Sequence, residues 1–271
     1  MQKPLLLHIT DFFYVAVGRE YYREDLLLIE RLRSRFDIVS AAIEDCERIE
    51  RCVDGIFRRN TGPSSLHRLG LDAQNNRIKS HGMRVYNDLN AQGDFLGKQH
   101  LLELHKLNYP VIPTFLVKEQ ALALGADKFI LKLLDGADSR GLRILDRSEL
   151  MAAMTDNYII QPTIDFVHEV SFYFIDSELL YACHTGKEKR WQLTEFTPTP
   201  ADQEFARRFV SWNKMRYGIQ RIDAARLKDD SLLLMEIEDH NPFLNLFDRS
   251  ATVQQNFIDA LIHSLEKNLI G

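Results

Sequence analysis

Three carboxylates in this chain are spaced so that they could share one metal ion. Glu236 and Glu238 stand two apart at the end of the apolar run Ser231–Glu238, and Asp223 lies upstream within Ile219–Leu227. A short apolar run bounded by turn residues has the signature of a buried strand. Side chains alternate between the two faces of a strand, so Glu236 and Glu238 point to the same side. The polar turn Lys228-Asp229-Asp230 between the two runs predicts a hairpin, which would bring Asp223 beside the glutamates. Carboxylates converging beside an apolar strand are costly unless a cation neutralises them. Hard oxygen ligands suit Mg²⁺, which uses one or two carboxylates together with the phosphates of a nucleotide. The competing reading is an exposed hairpin with scattered, solvated acids, and the rest of the chain weighs against it.

Cations complement these acids. Lys132 is embedded in the apolar run Phe129–Leu134, an unusual position, because lysine is rarely buried unless paired. Asp135-Gly-Ala-Asp-Ser-Arg-Gly141 follows directly, and its small residues would let backbone N–H groups turn toward an anion. Arg58, Arg59 and Asn60 fall at the end of a predicted strand. Ligands of open α/β sheets bind at such ends, and arginine suits a bidentate grip on a substrate carboxylate. Thr185–Pro200 reads as a long loop containing Lys187, Lys189 and Arg190, a cluster suited to charge developing during phosphoryl or acyl transfer.

The elements that must position these groups follow from periodicity. Strands over Pro4–Thr10, Phe36–Ala41 and Val53–Arg58 alternate with helices over Tyr21–Arg35 and Glu44–Arg51, the rhythm of a small parallel sheet with crossovers. Helices are expected over His67–Lys79, Asp94–Leu107, Ala121–Asp127, Arg147–Met154 and Asp202–Lys214. Strands are expected over Phe129–Leu134, Gly141–Leu145, Tyr158–Ile164, Val170–Phe174 and Glu178–His184. The last helix, Ser250–Lys267, carries Val253, Phe257, Leu261 and Leu265 on one stripe, the pattern of a core-facing helix.

Composition narrows the function classes. Thirty-four basic and 39 acidic residues leave a net charge of −5, which gives no whole-protein attraction to nucleic acid or anionic lipid. Three cysteines form no zinc spacing and suit a reducing compartment. The N-terminal apolar run is too short for a signal peptide and no segment is long enough to span a bilayer, so a cytoplasmic protein is expected.

In order along the chain, these parts resemble the ATP-grasp superfamily of carboxylate–amine ligases, including glutathione synthetase-like and small biosynthetic members. Asp94-Phe-Leu-Gly-Lys98, Leu101, Leu104 and Tyr109-Pro-Val-Ile-Pro-Thr114 are similar to its first nucleotide-contacting lysine and the segment that follows. Phe129-Ile-Leu-Lys132 with Gly136 and Gly141 is similar to its second lysine strand and phosphate loop. Ile159–Ile164 resembles its hinge, and Glu169–Leu179 the strand pair after it. Arg221-Ile-Asp223 and Met235-Glu236-Ile-Glu238 resemble its metal-binding hairpin. Many members carry Asn where this chain has Glu238, with Asn241 three residues later.

The resemblance implies an α/β fold of α+β lobes, an N-terminal pre-ATP-grasp domain over residues 1–85 and an ATP-grasp domain over 86–271. The nucleotide lobe would span about 86–160 and the metal-binding lobe about 161–271. It implies ATP with Mg²⁺, or Mn²⁺ in its place, held by Asp223, Glu236, Glu238 and Asn241. Lys98, Lys132, Gly136, Ser139 and Gly141 would meet the phosphates, while Gln161, Ile164 and Glu169 would bind the rest of the nucleotide. Arg221, Lys132 and Arg190 would serve the reaction, and Arg58 and Arg59 the substrate. The implied partners are a small carboxylate and an amine joined through an acyl phosphate, with a homodimer expected from the family. Ring closure by the same route, release of the acyl phosphate, or a non-catalytic ATP-binding scaffold are the alternatives. An acyl-phosphate route needs no protein nucleophile, which agrees with the absence of a Ser/His/Asp or Cys/His arrangement; His168, His184 and His240 read as structural or surface residues.

Overall fold

The computed structural model describes residues 2–16, 18–59, 61–62, 64, 66–136, 139–185 and 193–271. Four short strands near the N-terminus form a parallel sheet in the order Asp37–Ala41, Leu5–Ile9, Gly55–Arg58, Val85–Tyr86. Helices Tyr21–Leu32 and Arg68–His81 make two of the crossovers. The helix expected over Glu44–Arg51 does not form. Turns and a short 3₁₀ segment, Glu50–Cys52, replace it. The reason is tertiary: Glu50 is drawn inward to accept hydrogen bonds from Arg77 Nε at 2.7 Å and Gln74 Nε2 at 3.0 Å.

A three-stranded antiparallel sheet follows, with Lys128–Leu133 between Arg143–Asp146 and Tyr158–Pro162. Its short helix is Lys118–Leu122, earlier than the sequence suggested, and the chain then turns at Gly125 with φ +73°. The helix Arg147–Ala152 opens on a reciprocal cap, in which Asp146 accepts from the Glu149 amide and Glu149 accepts from the Asp146 amide.

The third sheet is antiparallel and five-stranded, in the order Leu193–Phe196, Glu178–Thr185, His168–Ile175, Ile219–Arg226, Leu232–Glu238. Leu193–Phe196 corrects the reading of Thr185–Pro200 as one loop, because these residues pair with Ala182–Thr185 as an edge strand. The terminal helix Ala251–Leu265 buries Phe257, Leu261 and Leu265 in a core shared with Leu28 and Leu32 of the first helix and Tyr173 and Tyr181 of the large sheet. The N-terminal sheet and the hairpin sheet thus pack on one apolar cluster. No helix among the described residues is long and apolar enough to cross a membrane.

A buried polar cluster also joins these regions. Glu24, on the first helix and wholly inaccessible, accepts hydrogen bonds from the amides of Leu244 at 2.7 Å and Leu246 at 2.9 Å. Arg59 lies 3.5 Å from both Glu24 and Asp25. Burial raises the Glu24 carboxyl from 4.5 to about 7, against the pull of Arg59 and the two amides and with a small push from Asp25. Below pH 4.5 Glu24 is protonated whether the chain is folded or not. Between pH 4.5 and 7 the unfolded chain ionises first, so its contribution to stability declines as pH rises, by on the order of 3 kcal/mol. Glu24→Gln is therefore expected to melt over a flatter pH profile in this window than the wild type. Parallel profiles in thermal scans would rule this out.

Candidate nucleotide and metal site

The hairpin register places the acids. Arg221 pairs with Glu238, Ile222 with Ile237 and Asp223 with Glu236. Both isoleucines are fully buried, so the four charged residues share the opposite face. A bulge just after Asp223 shifts the register and ends this arrangement at the charged end of the hairpin.

On that face the charges are already partnered. Arg221 donates from Nε to Asp223 Oδ1 at 2.9 Å and from Nη2 to Asp223 Oδ2 at 2.7 Å, and Nη2 also reaches Glu238. Its Nη1 donates to the carbonyl of Phe243 at 2.8 Å. Ser171, on the adjacent strand, donates to Asp223 Oδ1 at 2.7 Å. Burial works to lower the Arg221 pKa, but Asp223 and Glu238 outweigh it and hold the guanidinium well above its ordinary range. The Glu238 carboxyl rises to about 8 through burial, opposed by Arg221 and reinforced by Asp223 and Glu236. The main cause is the loss of water around the carboxyl, and Arg221 recovers only part of it.

The lysines arrive from two other elements. Lys98 precedes the helix Gln99–Lys106 and donates to Glu236. Burial would raise Glu236, yet Lys98 and Lys132 overcome it and hold that carboxyl at about 2. Lys132 projects from the central strand of the three-stranded sheet, and its side chain has no hydrogen-bond or ion-pair partner among the described residues. Burial lowers its pKa, against the attraction of Glu236, Glu169 and Asp223. A cation held beside acids but bonded to none is free to take an incoming anion.

Gly97 couples the two lysine-bearing elements. Its φ is +85°, and a Cβ there would lie 2.6 Å from the carbonyl oxygen of Leu134, which also accepts from the Lys98 amide at 2.7 Å. Gly97→Ala is expected to push the Lys98 turn off the strand end and to cost activity on the order of a hundredfold, as small misplacements of catalytic groups do. Steady-state turnover beside a melting curve checks this; wild-type rates would show that the contact is dispensable.

A reciprocal clasp fixes the same turn to the end of the hairpin. Asp94 Oδ1 accepts from the amides of Asp239 at 2.8 Å and His240 at 3.0 Å, while Asp239 accepts from those of Gly93 at 2.7 Å and Phe95 at 3.0 Å. Burial, then Asp239, raises the Asp94 carboxyl well above its ordinary value. Lys98, Glu236, Glu238, Asp94, Asp135 and Gly136 line one cavity with Tyr14, Tyr21, Ser64, His240 and Asn241.

Other sequence candidates fall at varied positions. Asn241 is at the cavity, but its Oδ1 accepts from the Thr61 amide at 3.2 Å and its Nδ2 donates to Gly62 O. Gly136 lines the cavity; Ser139 and Gly141 follow it in left-handed backbone, with φ of 59° and 68°. Gln161 is buried on the strand Tyr158–Pro162 and donates to Thr114 at 2.9 Å, and Ile164 lies just beyond that strand. Glu169 pairs with Ala225 across the large sheet. Arg58 and Arg59, expected to face a substrate, are buried. Arg58 donates to Asn75 at 2.8 Å and stacks on Phe95, and Arg59 donates to the carbonyl of Pro242 at 2.8 Å. They are turned inward because neighbouring elements fold over the strand end. Arg190 lies outside the described residues, as do Asn60, Lys187 and Lys189.

His240, read from the sequence as structural or surface, is buried with Nε2 2.8 Å from Thr61 Oγ1, and it also lines the cavity. Burial, helped by Arg58 and Arg68, keeps its ring neutral. Tyr14, Tyr21 and Ser64 carried no signal, since nothing local marks a residue that a distant loop brings to a cavity.

The donor set fits a hard divalent ion shared with phosphates better than a closed protein cage. Among the described residues, no group of three or more acid, histidine or cysteine side chains forms a ready cage, because Arg221 and Lys98 hold the acids in pairs. Magnesium needs only one or two carboxylates when a nucleotide supplies the remaining oxygens, and Glu236 and Glu238 both face the cavity.

No protein-family model and no curated protein matches the chain. Solved structures do. The D-cycloserine synthetase DcsG superposes with a TM-score of 0.76 at 21% identity, covering 96% of this chain and 99% of that one. The ATP-grasp ligase PsnB, complexed with a minimal precursor, gives 0.66 at 16% identity, covering 97% and 99%. D-alanine–D-alanine ligase from Bacillus anthracis, complexed with ATP, gives 0.68 at 11% identity, covering 98% of each chain. With nearly the whole of each chain superposed, this protein has the ATP-grasp fold.

Proposed function

We propose that the chain is an ATP-dependent ligase that joins a carboxylate to an amine through an acyl phosphate. The observation that supports this most is the meeting of Lys98, Glu236 and Glu238 at one cavity, with Lys132 near enough from a third element to act on the Glu236 carboxyl and with Arg221 and Asp223 on the same hairpin face. The ligases with which the chain shares its fold agree with that reading.

In this reading Lys132 and Lys98 grip the phosphates of ATP, and Gly136, Ser139 and Gly141 let the adjoining backbone follow them. Asp223, Glu236 and Glu238, with Asn241 next to them, would hold Mg²⁺ or Mn²⁺, which spreads the phosphate charge when bound. Arg221 orients Asp223 and Glu238 and lends positive charge where the acyl phosphate forms. A substrate carboxylate oxygen takes the γ-phosphoryl group and ADP leaves. The amine nitrogen then bonds to the carbonyl carbon, loses a proton, and phosphate departs with the carboxylate oxygen.

Isotope transfer tests this route. With ¹⁸O in the substrate carboxylate, one label should appear in the released phosphate across a panel of acids and amines. Metal-dependent ATP binding without ADP release for any member would favour a scaffold. Product mass separates intermolecular joining from ring closure, in which one reactant loses water.

A further inference from the structure

The loop Asn241–Leu246, just past the hairpin, is held from the N-terminal part of the chain at almost every residue. Glu24 accepts from the amides of Leu244 and Leu246, one on each carboxylate oxygen. Arg59, 3.5 Å from Glu24, donates to the carbonyl of Pro242 at 2.8 Å. Between those anchors, the carbonyl of Phe243 accepts from Arg221 at 2.8 Å, and Arg221 is the residue that spans Asp223 and Glu238. The path from Glu24 to the acids therefore has three links: carboxylate to loop amides, loop carbonyl to guanidinium, guanidinium to carboxylates.

We propose that Glu24 is a positioning residue for the candidate site, setting through the loop Pro242–Leu246 where Arg221 holds Asp223 and Glu238. This rests on the ligase reading above and adds to it a residue outside the cavity. Glu24 is fully buried, and both its oxygens are occupied by backbone donors that lie more than 200 positions later in the chain. Any buried carboxylate needs donors, but one of those that Glu24 uses, the Leu244 N–H, belongs to the same peptide group as the Phe243 carbonyl that anchors Arg221, so a shift at one is felt at the other.

Glu24→Gln is nearly isosteric, but its amide nitrogen cannot accept, so either Leu244 or Leu246 loses its partner and the loop must shift. Outer partners of metal sites change affinity or activity by about 10–100-fold. The expected result is a loss of that size in kcat and a rise in half-saturating Mg²⁺, with the KM for ATP changed less than about threefold, all measured below the melting temperature. If the variant fails to accumulate folded, Glu24→Asp serves; it keeps the charge but is too short to reach both amides, and the same shifts are expected. Lower thermal stability with wild-type kcat and Mg²⁺ dependence would reduce Glu24 to a structural role and overturn the proposal. Calorimetric titration with Mg²⁺ and a non-hydrolysable ATP analogue keeps the two ideas apart. A wild type that binds neither removes the ligase reading and this assignment with it, whereas binding shared equally by wild type and variant removes the Glu24 assignment alone.

Discussion

Glu236→Gln is expected to lower kcat about a thousandfold while leaving the KM for ATP unchanged or reduced. Glu236 is the acid that faces both lysines: Lys98 donates to it, and the two ammonium groups hold its carboxyl at about 2. Neutralising it removes one of the acids that faces the cavity and leaves Lys98 and Lys132 without that counter-charge. Both lysines would then bind phosphate at least as readily, so nucleotide affinity should hold. Removing one preorganised electrostatic partner of a transition state costs about 10²–10³ in rate, and losing an ion that Glu236 would help to hold adds to this. Rapid-quench turnover with a separate measurement of ATP binding resolves the two effects. A kcat within threefold of wild type would exclude Glu236 from the chemistry.

Arg221→Met should have the largest effect on stability. Arg221 is buried between Asp223 and Glu238, and breaking a buried pair by removing one partner costs about 3–5 kcal/mol, because the charge left behind is uncompensated. For a chain of this size the melting temperature should fall by roughly 10 °C. Two features make the prediction specific. Adding Asp223→Asn should return part of the loss, since it relieves repulsion between the freed acids. Millimolar Mg²⁺ should stabilise the single variant more than the wild type, because an ion that binds the folded state raises its stability by mass action. Thermal scans of the wild type, the single variant and the double variant, with and without Mg²⁺, decide it; a fall below about 2 °C would mean that Arg221 is not the main counter-charge.

Local pattern carried much of the fold. Period-two alternation placed Glu236 and Glu238 on one face, and the Lys228–Asp230 turn gave the hairpin that opposes Asp223 to Glu236. A lysine within Phe129–Leu134 was conspicuous because apolar strands exclude unpaired charge. What escaped was set by contacts remote in sequence. Leu193–Phe196 is polar at its centre and close to Pro198 and Pro200, so only pairing with Ala182–Thr185 makes it a strand. Glu44–Arg51 has helical propensity, but Glu50 bonds to Arg77 and the chain turns instead. Arg59 looked like a substrate grip at a strand end, yet Glu24 and Asp25 arrive from the preceding helix to enclose it. The Asp94–Asp239 clasp joins backbone groups about 145 positions apart, and no pattern within a window of ordinary length shows it.

The Lys98–Glu236 bridge has a consequence for the order in which reactants assemble. Lys98 already balances Glu236, and Arg221 already spans Asp223 and Glu238, so these acids offer a bare divalent ion little net attraction. If the chain binds ATP as proposed, a triphosphate would change this by giving Lys98 a stronger anion, and the exchange would uncover Glu236 as the tail of the nucleotide reached it. On that proposal Lys98 would work as a latch that responds to the nucleotide rather than to the metal, and the two are expected to load together as one chelate.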